Sequence, residues 1–188
     1  MSVYRSNDRT QFTFDTPSAA ALHLNSAWKA AARATQLKQR VTLDPAGIQP
    51  GLVCLSVSKA SLADLFDYFE EMIAVAFGSF AAVEAFCNQT IVEKGTTPIT
   101  VKNKKAEIQL SAEEIESQRG TREKLSRILP DLLRLPTPSG KAVWQRFVRL
   151  EDLRDAVTHF KRRDQARKVT SEPTALFRLY TEDLLLAA

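Results

Sequence analysis

The chain has 188 residues, of which 44% are hydrophobic and six are glycine, so it can bury one sizeable core without disulfides or a structural metal. Its two cysteines, Cys54 and Cys87, lie far apart in apolar surroundings, which excludes a disulfide framework and a cysteine metal site and indicates reduced, buried thiols. The net charge of +4 is unevenly spread: acids outnumber bases by 11 to 5 between Asp44 and Gln118, and bases outnumber acids by 14 to 6 between Arg119 and Lys168. A basic second half favours a polyanionic partner, and an arginine-rich solvated surface would give the same count.

The first forty residues predict a helix without a targeting signal. The N-terminal stretch lacks the apolar core of a signal peptide, so we expect a cytoplasmic protein. Thr16 as N-cap and Pro17 at the first helical position predict a helix over residues 17–40. After a break rich in proline and glycine, the apolar run from Leu52 to Val57 fits a strand or an ordered connector, and the sequence leaves this choice open.

The strongest periodic segment begins at Ser61, with Asp64 three residues later in a capping arrangement. Apolar residues then follow at alternating spacings of four and three: Leu62, Phe66, Phe69, Ile73, Ala76, Phe80, Val83 and Cys87. This spacing predicts a long central helix that is buried on most of its circumference between Met72 and Ile91. Polar residues such as Glu84 interrupt the apolar run, which argues against a membrane span.

A small β-hairpin is predicted near residues 97–110, where apolar residues alternate on both sides of a polar turn. Ser111 with Glu114 predicts the start of a short helix, and Thr121 predicts the start of the next one.

The last third of the chain predicts two more helices beyond a break at Pro136 to Gly140. Apolar residues at helical spacing indicate a helix of about six turns that reaches Phe160, and a final helix follows Pro173. No second domain boundary is visible, so we predict a single, all-α domain over residues 1–188 with one small hairpin inserted.

The helix before Phe160 contains the sequence Leu-Arg-Asp-Ala-Val-Thr-His, from Leu153 to His159. An arginine, a polar residue after it, and a histidine beyond four intervening residues match the Rx4-6H motif that is typical of HEPN domains. The order of segments before the motif is similar as well: an apolar helix with Glu84 and Asn88, a hairpin, the helix REKLSRILPDLL, and a tryptophan-bearing helix. The chain therefore resembles the HEPN superfamily over residues 60–165, and helix 17–40 lies outside the resemblance.

The resemblance implies an HEPN-like helical bundle that forms a homodimer, with paired arginines and histidines in one cleft. It also implies metal-independent cleavage of RNA, without a cofactor. His159 would be the general acid or base, Arg154 would hold the phosphate, and Asp155 would support them. A toxin or phage-defence role and an antitoxin or other regulatory partner are further family expectations. Some toxin-type members carry a tyrosine where this chain has Lys161.

Helical spacing alone singles out Arg154, because the apolar positions before it place it on the core-facing side of its helix. A desolvated guanidinium is costly unless it is paired. Glu84 is the one carboxylate on the apolar face of the central helix, so we predict an ion pair between Glu84 and Arg154. Asn88 lies one turn further along that face and is a second supporting residue.

Asp155 lies four residues before His159, on the same side of an ideal helix, and is predicted to orient the imidazole. Lys161, Arg162 and Arg163 are predicted to follow on the same helix and to bind the RNA backbone. A solvated helix end would also favour such cations.

Two other classes of function remain open from the sequence. One is a non-catalytic HEPN-like module that dimerises or binds nucleotides or RNA, in which the arginine only fixes the packing of the helices. The other is a DNA-binding regulator, which is less favoured because no helix-turn-helix is visible.

Overall fold

A computed structural model describes residues 2–5, 11–14, 17–49, 52–95, 98–103, 106–159 and 174–181. The helices are α1 (Ala19–Lys38), α2 (Leu62–Lys94), α3 (Ala112–Gln118), α4 (Thr121–Glu123), α5 (Leu129–Leu133), α6 (Ala142–Thr158) and α7 (Ala175–Thr181). A π-helical turn, Lys124–Ile128, joins α4 to α5. The strands are β1 (Ser2–Arg5), β2 (Gln11–Phe14), β3 (Leu43–Gln49), β4 (Leu52–Val57), β5 (Ile99–Asn103) and β6 (Ala106–Leu110).

The described residues are mainly helical, as predicted, and the strands form separate antiparallel hairpins. The hairpin β5–β6 lies where the alternating pattern placed it, with Ile99 opposite Leu110. The apolar run from Leu52 is strand β4, which settles the open choice because it pairs with β3. The hairpins β1–β2 and β3–β4 were not predicted.

Helix α2 is 33 residues long and connects two hydrophobic clusters. Around Tyr68 and Met72 it packs against α1, α6 and α7 through Ala34, Leu153, Val157, Ala175 and Leu179. Around Cys87 and Ile91 it packs against the β5–β6 hairpin, α3, the π-helical turn and α5 through Ile99, Val101, Leu110, Ile115, Ile128 and Leu129. The central position that the periodic pattern predicted for this helix is confirmed.

Helix α1, which lies outside the family resemblance, packs closely along α2. A Cβ atom on Gly78 would lie 3.1 Å from the Cβ of Ala27, so glycine lets the two helices approach this closely without a shift of a few tenths of an ångström. The guanidinium of Arg33 binds the carboxylate of Glu71 at 2.6 Å. Because residue 27 meets residue 78 and residue 33 meets residue 71, the two helices run antiparallel.

The helix starts confirm one capping prediction and correct two. Ser111 and Glu114 form a full capping box, in which the Glu114 backbone N–H donates to the Ser111 hydroxyl at 3.2 Å. Ser61 does not cap α2, because its hydroxyl donates to the Arg40 carbonyl at 3.3 Å and accepts from a backbone N–H instead. Helix α1 begins at Ala19, after the predicted start, and the predicted N-cap Thr16 lies outside the described residues.

The prediction that α2 is buried on most of its circumference is wrong in part. Within the predicted range from Met72 to Ile91, Phe77 and Phe86 are 42% and 53% exposed. The core uses only part of the apolar surface that this helix offers. Among the helices described above, none has the length and apolarity needed to cross a membrane.

Candidate functional site

Arg154 lies on α6, and its guanidinium rests on the ring of Phe80 in α2. The guanidinium carbon is 3.9 Å from the ring centroid, and Phe80 is buried. Phe147 stacks on the same ring with centroids 6.1 Å apart, and Trp144 contacts Phe147 in turn at 5.5 Å. A cation over a buried aromatic ring gains about 1–2 kcal/mol, so this contact fixes where the guanidinium lies.

The donors of Arg154 are only partly used by the protein. Its Nη1 lies 2.9 Å from the Asp155 carboxylate, and its side chain is 28% exposed. Its Nε is buried and has no hydrogen-bond partner in the described part of the chain. A guanidinium carries five N–H donors, and because Nε is buried, only the exposed terminal nitrogens could donate to a phosphate.

His159 lies at the exposed end of the same helix, which is shorter than predicted. Helix α6 ends at Thr158, and His159 has left the helical conformation, with φ −120° and ψ 67°. The backbone N–H of His159 donates to the Asp155 carbonyl at 3.0 Å. Asp155 therefore holds both neighbours, Arg154 through its carboxylate and His159 through its backbone. The predicted contact between the Asp155 carboxylate and the imidazole is not formed.

The predicted ion pair between Glu84 and Arg154 is wrong. Glu84 is exposed, and its carboxylate accepts a hydrogen bond from the Thr121 hydroxyl at 3.2 Å. Arg154 lies instead over Phe80, one turn earlier on α2, and pairs with its own neighbour Asp155. Asp155, the next residue in sequence, is thus the partner of Arg154, and Glu84 binds Thr121 at the start of α4.

Asn88 likewise belongs to a second polar cluster, around a buried lysine that sequence reasoning missed. Lys124 is 1% exposed, and its Nζ donates to the Asn88 side-chain oxygen at 2.7 Å and to the Glu116 carbonyl at 3.0 Å. One signal was available, because Lys124 lies four residues before the core residue Ile128 and so shares its helix face.

Cys87 is buried beside the Lys124 cluster and is a free thiol, as predicted. Burial raises the pKa of Cys87 to about 11, and the positive charge of Lys124 acts in the opposite direction. The protonated thiol is therefore the form present near neutral pH. The side chain of Cys54 lies outside the described part of the structure.

The exposed arginines of α6 and α4 differ in whether a carboxylate pairs with them. Arg146 and Arg149 are exposed and form no ion pair with another described residue. Arg122 on α4, by contrast, binds Glu151 of α6 through its Nε at 2.6 Å. The predicted RNA contacts Lys161, Arg162 and Arg163 lie outside the described residues.

Comparisons with protein-family models, with curated proteins and with solved structures find no match to this chain. Within the described ranges, no group of three or more His, Cys, Asp or Glu side chains is placed to hold a metal ion.

Proposed function

We propose that this protein is an endoribonuclease of the HEPN type that cleaves RNA without a metal ion and acts as a homodimer. The observation that carries the proposal is the state of Arg154. Its guanidinium is fixed on a buried ring and is 28% exposed, and its one ion pair with a described residue is to its neighbour Asp155. His159 is exposed at the same end of α6.

Arg154 would bind the phosphate that is attacked. When the ribose 2′-hydroxyl adds to the neighbouring phosphorus, negative charge grows on the non-bridging oxygens. A guanidinium already held in place stabilises that charge without first losing its own freedom. Nη1 of Arg154 lies against Asp155 at 2.9 Å, and the exposed part of the guanidinium would meet the phosphate.

The reaction needs two proton transfers, and this requirement supports a dimer. A base takes the proton from the 2′-hydroxyl, and an acid gives one to the departing 5′-oxygen, which leaves a 2′,3′-cyclic phosphate and a 5′-hydroxyl. The chain has two histidines, and the other one, His23, lies on α1 with its backbone against Gly78. A second His159, from a second copy, would supply the second transfer at a shared site.

Exposed aromatic residues on α2 give such a dimer a surface. Phe66 and Phe77, 65% and 42% exposed, are eleven residues apart and therefore lie on the same side of the helix. Phe77 precedes Phe80 by one turn, so this apolar surface adjoins the ring that carries Arg154. Exposed apolar surface of this kind is typical of protein interfaces. We propose that two copies pair here, with both copies of Arg154 and His159 facing one cleft.

One observation favours a second candidate, a non-catalytic HEPN-like module that dimerises or binds RNA or nucleotides. Asp155 already neutralises much of the charge on Arg154, at 2.9 Å. An arginine that is paired in this way suits binding or packing as well as catalysis.

RNA cleavage in the presence of EDTA separates the two candidates. We expect products with 2′,3′-cyclic phosphate ends, and an RNA with one 2′-deoxynucleotide should stay intact at that position, because it lacks the attacking hydroxyl. RNA that is bound but never cut would support the second candidate. Cleavage that requires a divalent metal would contradict the mechanism.

The dimer is tested by sedimentation of two matched variants. Phe77→Asp should convert the dimer to a monomer, because a carboxylate would be buried at the interface. Phe177→Asp changes an aromatic residue on α7 that is 58% exposed and should leave the dimer intact. A monomeric wild type, or equal behaviour of both variants, would contradict the proposed surface.

A further inference from the structure

A groove of about 550 Å³ lies between α1, α2 and α6 and is open to solvent. Small residues, Ala20, Ala21 and Ala82, line part of it, and Leu24, Phe86 and Leu150 are among the larger side chains around them. None of the residues that line it is charged. Its volume is in the range of sites that take several apolar side chains or a small ligand.

The groove lies on a face of α2 that α7 covers nearer the N-terminal end of α2. This face carries Tyr68, Met72, Val75, Ser79, Ala82 and Phe86, at alternating spacings of four and three. At its first end α7 covers it, where the Tyr68 hydroxyl donates to the Leu179 carbonyl at 2.9 Å. At its other end Phe86 is 53% exposed, and Leu24 across the groove is 48% exposed. The same face of α2 is therefore covered by α7 at Tyr68 and left open at Phe86.

A polar group inside the groove is also left without a partner. Ser79 lines the groove and is 8% exposed, and its hydroxyl has no hydrogen-bond partner among the described residues. A buried hydroxyl without a partner costs free energy in the unoccupied protein. A polar side chain at the edge of a docked helix would relieve this cost.

The charge beside the groove indicates the kind of helix that fits. Arg149 immediately precedes the groove residue Leu150 on α6, and Arg146 lies one turn before Leu150. Both arginines are exposed and form no ion pair with another described residue. Acidic side chains on the occupant would match them, whereas a second copy that packed groove to groove would bring like charges together.

We infer that this groove binds an amphipathic helix of another protein, with bulky apolar residues on one face and acidic residues beside them. Such a helix would place two or three apolar side chains between Leu24 and Phe86. Its carboxylates would lie against Arg146 and Arg149. This inference does not rest on RNA cleavage and would hold for either candidate function.

The test uses fluorescein-labelled helical peptides of about four turns and the full-length protein. The panel carries Leu or Phe at spacings i, i+4, i+7 or i, i+3, i+7, with Glu at the flanking positions, and each peptide has a partner with Lys in place of Glu. Fluorescence anisotropy should show at least one acidic peptide binding with a Kd of about 10 µM and its Lys partner binding about tenfold more weakly.

Matched variants locate the binding. Leu24→Asp should weaken the acidic peptide by at least about tenfold. Leu22→Asp should not, although Leu22 is on the same helix and is similarly exposed at 53%. The double change Arg146→Glu and Arg149→Glu should reverse the preference between Glu and Lys peptides, and Lys59→Glu with Lys94→Glu should leave it unchanged.

Three results would overturn the inference. The first is that no acidic peptide binds at about 100 µM, and the second is that acidic and Lys peptides bind equally well. The third is that wild-type protein self-associates in sedimentation and Leu24→Asp, but not Leu22→Asp, releases the monomer, because a second copy would then fill the groove. Circular dichroism of each variant shows that its fold is kept.

Discussion

Lys124 and Arg154 are both cations that contact α2, but their surroundings differ. Lys124 is 1% exposed, and its Nζ is held by the Asn88 side chain and the Glu116 carbonyl. Arg154 is 28% exposed, its guanidinium carbon lies 3.9 Å from the Phe80 ring centroid, and its buried Nε has no partner in the described structure. One cation is enclosed by its hydrogen bonds, and the other is positioned but incompletely bonded.

The difference shows how a buried charge can serve the fold or a ligand. A buried cation whose hydrogen bonds are made inside the protein stabilises the packing and cannot reach a solute. A cation that is held by stacking keeps donors for a phosphate. We therefore expect changes at Lys124 to affect stability, and changes at Arg154 to affect activity.

The largest effect on stability is expected from Lys124→Ala. This change removes a fully buried side chain and leaves the Asn88 and Glu116 oxygens without their donor. The free energy of unfolding should fall by about 3 kcal/mol, measured by urea denaturation. Lys94→Ala, at the exposed end of α2, should change it by less than about 0.5 kcal/mol. A loss below about 1 kcal/mol for Lys124→Ala would remove the contrast with Arg154.

An effect comparable in free energy is expected on the alkylation rate of Cys87. This rate shows whether reagents in solution reach the region around Lys124. Burial raises the pKa of Cys87 to about 11 from 9.0, so the thiolate forms only as the pH rises toward that value. At pH 8 the folded protein should contain about 100-fold less thiolate at this position than the unfolded chain. Alkylation of the Cys87 peptide by iodoacetamide, followed by mass spectrometry, should be slower by at least that factor. Equal rates with and without urea would show that the region is open.

A smaller effect on stability is expected from Arg154→Ala. The change removes the contact with Phe80 and a partly exposed ion pair, so the free energy of unfolding should fall by about 1 kcal/mol. Arg40→Ala, at an arginine whose side chain is 65% exposed, is the control and should cost less. A loss of about 3 kcal/mol would place Arg154 in the same structural role as Lys124.

The smallest effect is expected from Glu84→Gln. Glu84 is exposed, and glutamine keeps an oxygen that can accept the Thr121 hydrogen bond. The free energy of unfolding should change by less than about 0.5 kcal/mol, and RNA cleavage should keep its wild-type rate. If Glu84→Gln lowered the cleavage rate as far as Arg154→Ala does, Glu84 would act together with Arg154, which would contradict the structure.

The parts of the fold that could be predicted depend on residues close together in the chain. The spacing within α2, the alternation in β5–β6 and the Ser111–Glu114 capping box each involve neighbours within a few positions. The hydrogen bond from Lys124 to Asn88 joins residues 36 apart, and no local pattern contains it.

The candidate site could be predicted only in part, for the same reason. The motif identified Arg154, Asp155 and His159, which lie together at the end of α6. Their surroundings depend on how α6 packs on α2. The prediction paired Arg154 with Glu84 because their charges are opposite. The structure instead places the ring of Phe80 against the guanidinium. A rule based on charge alone does not include this competing interaction.

The most direct test of the central claim is the single-turnover rate at which the protein cleaves a labelled, single-stranded RNA in EDTA. Arg154→Ala and His159→Ala should each lower this rate by at least about 100-fold, because one removes charge stabilisation and the other a proton transfer. The matched changes Arg40→Ala and His23→Ala should stay within about threefold of wild type. No cleavage by the wild type, or equal rates in all five proteins, would contradict the assignment of RNA cleavage to these two side chains.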